Sequence, residues 1–222
     1  MLAGEAVVAI WNGIDPDTRE QYYDWHLHEH MPERVGIPGF RRGRRYIAAG
    51  ADTHPEFFTL YEADTMPVLQ GAGYADRLND PTPATKATTA KFLDTSRALA
   101  RVLISHGPGM GGAMMTIRFA CDEPHLIAVR AMVRAAAQAP RVSGAHLCMA
   151  DAAASLVRTT ETKDRTDIQP PPTCFIMVEA TDPDALTDIL QDRALLGAGA
   201  SAPFVRGVYR LEYTRTKTAF AP

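Results

Sequence analysis

Three of the seven histidines, His26, His28 and His30, lie within five residues of one another, in a segment that also carries Glu29 and Glu33. Histidine is the side chain whose ordinary pKa lies near neutral pH, and a neighbouring carboxylate can fix its tautomer or raise its pKa. The sequence therefore predicts a general acid–base at His30 or His26, with Glu29 as the group that orients it.

A helix is predicted to carry this segment, from residue 18 to about residue 30, because Pro32 disfavours helical geometry in the residue before it. At roughly 100° per residue, one narrow stripe of this helix carries Tyr22, His26, Glu29 and Glu33. His28 falls toward the opposite flank. Polar groups buried without partners cost a few kcal/mol each, so the stripe must satisfy itself internally or face a cavity.

A structural role explains the same residues without catalysis. A protonated imidazole interacts favourably with the negative end of a helix, so that His30 would cap the helix while Glu29 pairs with Arg34 or with an arginine of a strand. A metal site is a further alternative, since His26 and His30 stand four residues apart, as two ligands on one helix do. The sequence offers no evident third ligand, and neither a metal nor another cofactor is predicted.

The elements that must position these residues occur in the same order twice. Residues 1–107 show the pattern β-α-β-β-α-β, and the pattern returns in residues 113–222 after the glycine-rich linker 108–112. The predicted strands span 6–11, 40–48, 57–62, 98–105, 113–120, 145–150, 173–180 and 205–215. The predicted helices begin at residues 18, 66, 123 and 182.

Each half matches a ferredoxin-like unit, whose sheet has one face covered by helices and one face that needs burial. Packing the two open faces together predicts an α+β fold, in which tandem ferredoxin-like repeats form a dimeric-type α+β barrel within one chain. The second half has Gln138 and Ala139 where the first has Glu29 and His30, so its site is expected to be degenerate. Residues 158–172 are polar and are predicted to form a loop without a role in the core.

Composition excludes several classes of partner. The net charge is −3 and the densest basic cluster spans only residues 41–45, so no nucleic-acid partner is expected. The N-terminus has no signal-peptide pattern and no apolar run approaches the ~18 residues that span a bilayer, so neither a membrane nor secretion is predicted. Three widely spaced cysteines indicate free thiols, and the expected location is cytoplasmic.

Two motifs of the first half point to a known family. They are Trp25…Glu29-His30-x-Pro32-Glu33-Arg34 and Ile37-Pro38-Gly39-Phe40-x-Arg42-x-Arg44-Arg45-Tyr46, followed by Tyr61-Glu62 on the next predicted strand. Over residues 5 to 105 this pattern resembles the helix-to-strand signature of EthD-type proteins of the dimeric α+β barrel superfamily. The resemblance implies that His30 and Glu29 lie near a pocket between the helices and the sheet.

The expected function is that of a cofactor-independent enzyme of isomerase or lyase type, with His/Glu acid–base chemistry on a small apolar ketone, lactone or phenolic compound. The residues expected to contact this substrate are Tyr22, Trp25, Arg42, Tyr46 and Tyr61. A monooxygenase-like enzyme is an alternative, and its substrate would have to reduce O₂ itself. A non-catalytic binding protein for a hydrophobic metabolite and a haem- or metal-binding protein are further alternatives, so the sequence leaves open whether the chain is an enzyme. The sequence leaves the assembly open between a chain that closes its barrel alone and a homodimer.

Overall fold

The computed structural model describes residues 1–121, 124 and 126–218. Within this part of the chain, eight antiparallel strands close into one barrel. They are β1 (Ala6–Ile14), β2 (Phe40–Ala48), β3 (Phe57–Ala63), β4 (Phe92–His106), β5 (Ala113–Ala120), β6 (Val142–Ala150), β8 (Cys174–Ala180) and β9 (Ser201–Thr216). A two-residue strand β7 (Ile168–Gln169) lies parallel to the start of β4 on the outside of the barrel.

Strand pairing shows how the barrel closes. The order around the barrel is β1-β3-β2-β9-β5-β8-β6-β4, and β4 returns to β1. The two halves of the chain therefore meet at two seams, where β2 pairs with β9 and β4 pairs with β6. The strands fall where the sequence predicts them, although several are longer than expected. The added residues at the start of β4 pair with β1, and Ser201 at the start of β9 pairs with Ala120 of β5.

The helices lie outside the barrel and cover it unequally. They are α1 (Arg19–Trp25), α2 (Met31–Gly36), α3 (Met66–Gln70), α4 (Ala72–Asn79), α5 (Pro83–Thr89), α6 (Leu126–Ala136), α7 (Ala152–Ser155) and α8 (Asp192–Gly197). The predicted start of α6 at Glu123 lies outside the described residues. Among the helices that the structure describes, none is both long and apolar enough to cross a membrane.

The interior of the barrel is packed rather than hollow. Side chains alternate between its inner and outer faces along each strand. The inner face carries a cluster built around Trp11. The ring centroids of Phe58 and Phe175 lie 5.2 and 5.3 Å from that of Trp11. Since these rings are fully buried, the barrel lumen holds a core and leaves functional residues to the outer face.

One end of the lumen is ionic. The Arg44 guanidinium binds the Glu62 carboxylate at 3.0 Å and the Glu179 carboxylate at 2.7 Å. His146 Nε2 lies 3.1 Å from Glu179 as well, and all four side chains have no exposed surface. Every charge of this cluster has an opposite partner, as buried charges require.

Two expectations for the backbone are wrong. The first helix does not end before Pro32 but continues to Gly36, after a π-helical turn over His26–His30. Residues 158–172 are not a passive loop, because Thr159 and Thr162 in this segment are buried and Ile168 pairs with β4. Both departures bear directly on the site described next.

Candidate functional site

A cavity of about 200 Å³ lies outside the barrel, between the first helix and the outer face of the first-half sheet. The helix contributes Tyr22, Trp25, His26 and His30 to one wall, and the strands contribute Ile10, Thr59 and Tyr61 to the other. Residues from the segment 155–171 of the second half cover the mouth. The cavity is therefore built mainly by the first half and closed by the second.

The π-helical turn sets the directions of the two histidines. The Met31 N–H donates to the His26 carbonyl, five residues back, where an α-helix would use residue 27. Pro32 has no N–H to give to the preceding turn, which is compatible with this local widening. His26 and His30 stand four residues apart and share the cavity wall with ring centroids 5.7 Å apart, whereas the wider turn carries Glu29 off their stripe.

His26 is held between a cation and a phenol. Its Nδ1 lies 3.4 Å from an Arg45 Nη1 and its Nε2 lies 3.5 Å from the Tyr61 hydroxyl. A guanidinium can only donate, so His26 Nδ1 is the acceptor and the ring proton of the neutral form is assigned to Nε2. Burial, together with the positive charges of Arg45 and Arg34, holds the pKa of His26 well below its ordinary value.

His30 makes fewer hydrogen bonds than His26 within the described part of the chain. Its ring packs on Trp25 with centroids 4.3 Å apart and planes tilted by 35°. Its Nδ1 is buried and makes no hydrogen bond. Burial and the nearby charges of Arg34 and His26 hold its pKa well below the ordinary value, so the ring is neutral near pH 7. A neutral imidazole carries one ring proton and can accept a second at its other nitrogen.

The tyrosines of the cavity remain protonated. Burial raises the pKa of Tyr61 well above its ordinary value, although the charge of Arg34 opposes that effect. Burial likewise raises the pKa of Tyr22, against the opposing charge of Arg45. Both hydroxyls can therefore donate hydrogen bonds to a ligand oxygen at neutral pH.

Glu29 does not contact either histidine. Its carboxylate accepts hydrogen bonds from the Thr82 and Thr85 hydroxyls at the start of α5. Thr85 also accepts from the indole N–H of Trp25 at 3.0 Å, and Trp25 is the ring on which His30 packs. The expected direct contact between Glu29 and an imidazole is replaced by this chain through Thr85 and Trp25.

Two of the residues expected to bind substrate lie elsewhere. Tyr46 is fully buried inside the barrel, where it packs against Phe58. Arg42 binds the Glu62 carboxylate at the ionic end of the lumen. The register explains both positions: Gly43 of β2 stands opposite Tyr61 on the outer face, so residues 42, 44 and 46 alternate to the inner face.

Residues 156–171, here called the strap, were missed as part of the site. Glu161 of the strap binds Arg34 of α2 at 2.6 Å. Arg165 donates to the Thr95 hydroxyl of β4 at 2.6 Å and is itself paired with Asp167. The one signal for such order in the sequence is the three-proline run at 170–172, which favours an extended backbone.

The arrangement offers little to a metal or to haem. Among the described residues, no three histidine, cysteine, aspartate or glutamate side chains converge as a ligand set. The cavity volume of about 200 Å³ lies below the range of pockets that take drug-sized ligands, and a porphyrin is larger still. The residues at the cavity therefore fit a small organic ligand and do not fit haem.

Comparison with known proteins places the fold. No protein-family model and no curated protein matches the sequence. An anthrone oxidase-like protein of known structure is 9% identical with a TM-score of 0.63, over 95% of this chain and 92% of that chain. A candidate monooxygenase from Lactobacillus acidophilus is 8% identical with a TM-score of 0.57, over 96% of each chain. Another from Fusobacterium nucleatum is 10% identical with a TM-score of 0.56, over 97% of this chain and 96% of that chain.

These neighbours define the class of the fold. The chain is a mixed α+β protein with a closed eight-stranded antiparallel barrel, a fold that it shares with these neighbours. At these identities the similarity concerns the fold alone. The more specific resemblance to EthD-type proteins stays a prediction, and function must be argued from the cavity.

Proposed function

We propose that the protein is a cofactor-independent enzyme that moves protons on a small cyclic ketone, lactone or phenol. The observation that carries the proposal is the presence of two buried neutral imidazoles and a protonated Tyr61 around one largely apolar cavity. Abstraction of a proton next to a carbonyl needs a base and a hydrogen-bond donor for the oxygen, and these residues supply both.

The contacts assign different roles to the two histidines. His30 is the base, because its neutral ring lines the cavity and, within the described part of the chain, has neither the cation nor the phenol that hydrogen-bonds to His26. His26 is a donor, because Arg45 occupies its Nδ1 and leaves the proton on Nε2, facing the Tyr61 oxygen. The Tyr61 hydroxyl can then donate its own proton to the substrate oxygen.

The proposed step conserves atoms and electrons. His30 takes a proton from the carbon next to the carbonyl, and the C–H electron pair moves to give an enolate whose oxygen is bound by Tyr61. Where a carbon–carbon double bond is conjugated with the enolate, return of the proton to the far carbon of this dienolate moves the double bond and gives an isomer. The positive charge formed on His30 lies beside the enolate, so each compensates the other in a site of low dielectric.

Glu29 is proposed as a positioning residue. Its carboxylate fixes the Thr82 and Thr85 hydroxyls, and Thr85 fixes the indole that supports the His30 ring. Holding the His30 ring in place should raise the rate of proton transfer, because the reacting atoms must be held in a narrow range of distances and angles.

We also propose that the two halves, 1–107 and 113–222, are ferredoxin-like repeats and that only the first retains a site.

Oxidation by O₂ is the second candidate function. The same deprotonated substrate can reduce O₂ without a cofactor, and the neighbour named anthrone oxidase-like and the two candidate monooxygenases share this fold. For anthrone the balanced reaction consumes one O₂ and gives anthraquinone and water. Deprotonation by His30 is common to both candidates, and the fate of the carbanion distinguishes them.

The test is exchange of solvent deuterium into 2-tetralone, followed by NMR, with O₂ uptake on anthrone measured in parallel. We expect exchange above the background rate, lowered by about 10²-fold or more in His30→Gln, as for loss of a general base. Tyr61→Phe is expected to lower it at least about tenfold. His28→Gln is the matched control, since His28 lies on the same turn with a side chain 70% exposed.

The outcomes separate the alternatives. Exchange that is equal in the wild type, His30→Gln and His28→Gln would reject His30 as the base. Binding of 2-tetralone without any exchange or O₂ uptake would support the binding protein instead. O₂ uptake on anthrone that depends on His30 would favour oxidation over isomerisation.

A further inference from the structure

The mouth of the cavity carries an excess of positive charge. Among the residues that line it, the cations are Arg97, Arg158 and Arg165, whereas the one carboxylate is Glu161. The deep part of the cavity is aromatic and neutral at pH 7, as described above. A ligand that fills both parts would match them with an apolar ring and an acidic group.

Three of the four charged groups at the mouth already have partners within the protein. Glu161 is bound by Arg34 at 2.6 Å, and Arg165 is bound by Asp167 through two hydrogen bonds of 2.6 and 3.0 Å. Arg158 is exposed and is tied to backbone carbonyls of the strap, those of Thr162 and Arg165. These contacts give three of the four charged groups a structural explanation.

Arg97 has no such explanation. It lies on β4 directly opposite Ile10 of β1, so both side chains project from the outer face toward the cavity. Its guanidinium makes one long contact of 3.5 Å, to the Ser155 carbonyl. Within the described part of the chain, no carboxylate lies within 4.0 Å of it, although its side chain is half-buried.

We propose that Arg97 binds an acidic group of the ligand, so that the substrate class is a small hydroxy- or oxo-substituted ring carrying a carboxylate. A guanidinium presents two parallel N–H donors that match the two oxygens of a carboxylate. The ring would lie between Trp25 and Tyr61, with the carboxylate at the mouth beside Arg97. This inference rests on the proposed function, in that both assign the same cavity to the substrate.

The test uses two matched probes, 3-hydroxy-2-naphthoate and 2-naphthol, which differ by one carboxylate. Their affinities are measured by calorimetry on the wild type, Arg97→Gln, Arg158→Gln and Arg101→Gln. Arg101 is the matched control, because it lies on the same strand four residues away, is exposed and stands outside the cavity. Thermal unfolding of each variant checks that the fold is retained.

We expect the wild type to bind the naphthoate 10- to 100-fold more tightly than 2-naphthol, as for charge-assisted hydrogen bonds. Arg97→Gln should abolish this preference and leave the affinity for 2-naphthol within about threefold of the wild type. Arg101→Gln should retain the preference.

Three results would overturn the inference: equal affinity of the wild type for the two probes, a preference that survives Arg97→Gln, or a preference lost in Arg158→Gln alone. None of these results bears on the deuterium exchange of the neutral ketone, so the proposed proton transfer is tested separately.

Discussion

The ion pair between Arg34 and Glu161 joins the strap of the second half to the helix of the first, and Glu161→Gln tests what it does. The two side chains are 3% and 11% exposed, so they form a buried pair. Removal of one partner from a buried pair costs about 3–5 kcal/mol. Arg34 keeps a second carboxylate, Glu33, at 2.8 Å, and the expected cost therefore falls to about 1–3 kcal/mol.

Because the lost ion pair attaches the strap, the loss of stability should appear as more frequent local opening of the strap. A loss of 1–3 kcal/mol corresponds to roughly 5- to 150-fold faster amide exchange. Hydrogen–deuterium exchange with mass spectrometry can measure this change on peptides from residues 156–167. Glu33→Gln is the matched control, since it removes a carboxylate from the same arginine but leaves the strap attached. Unchanged exchange in Glu161→Gln, or equal acceleration in Glu33→Gln, would refute the assignment of the strap to this pair.

Three further predictions follow from the same contacts. His26 and His30 should show the ¹⁵N chemical shifts of neutral imidazole from pH 8 to pH 6, because burial lowers their pKa values. Since both rings take up a proton in the unfolded chain but not in the folded one, the free energy of unfolding should fall as the pH drops below about 6.5. Glu29→Gln should lower turnover by about three- to tenfold, far less than His30→Gln, since Glu29 acts through Thr85 and Trp25; a loss as large as that of His30→Gln would contradict this. Burial raises the pKa of Glu179, but the His146 hydrogen bond and Arg44 outweigh it and lower the pKa to about 2. The charge of Glu179 therefore contributes about 3 kcal/mol of stability above pH 4.5, and this contribution is lost as the pH falls toward 2. Urea unfolding should show that the free energy of unfolding falls more steeply over this pH range in the wild type than in Glu179→Gln.

The strands of the barrel could be predicted from the sequence because each is a run of apolar residues bounded by turns. Phe40–Ala48 and Ala113–Ala120 begin and end where the pattern indicates. The helix was harder, because proline usually ends a helix and the π-helical turn before Pro32 leaves no mark in the hydrophobic period. That turn explains why Glu29 leaves the stripe on which His26 lies.

The site could be predicted only where it depends on local spacing. Tyr22, Trp25, His26 and His30 share a wall because they share a helix. Tyr46 was assigned to the wrong face because the register between β2 and β3 decides which face it occupies, and no local pattern fixes that register. The strap contacts residues of the first half that lie more than a hundred positions earlier in the sequence. Its polar composition gives no indication that Thr159 and Thr162 are buried.

If the first-half cavity holds the substrate against His30, a crystal structure of the protein with bound 2-naphthol should show it. We expect the naphthalene ring to pack against Trp25, with its hydroxyl within about 3.2 Å of His30 or Tyr61. A ring bound outside this cavity, or one bound within it with the hydroxyl turned away from both residues, would show that His30 and Tyr61 do not act on the substrate.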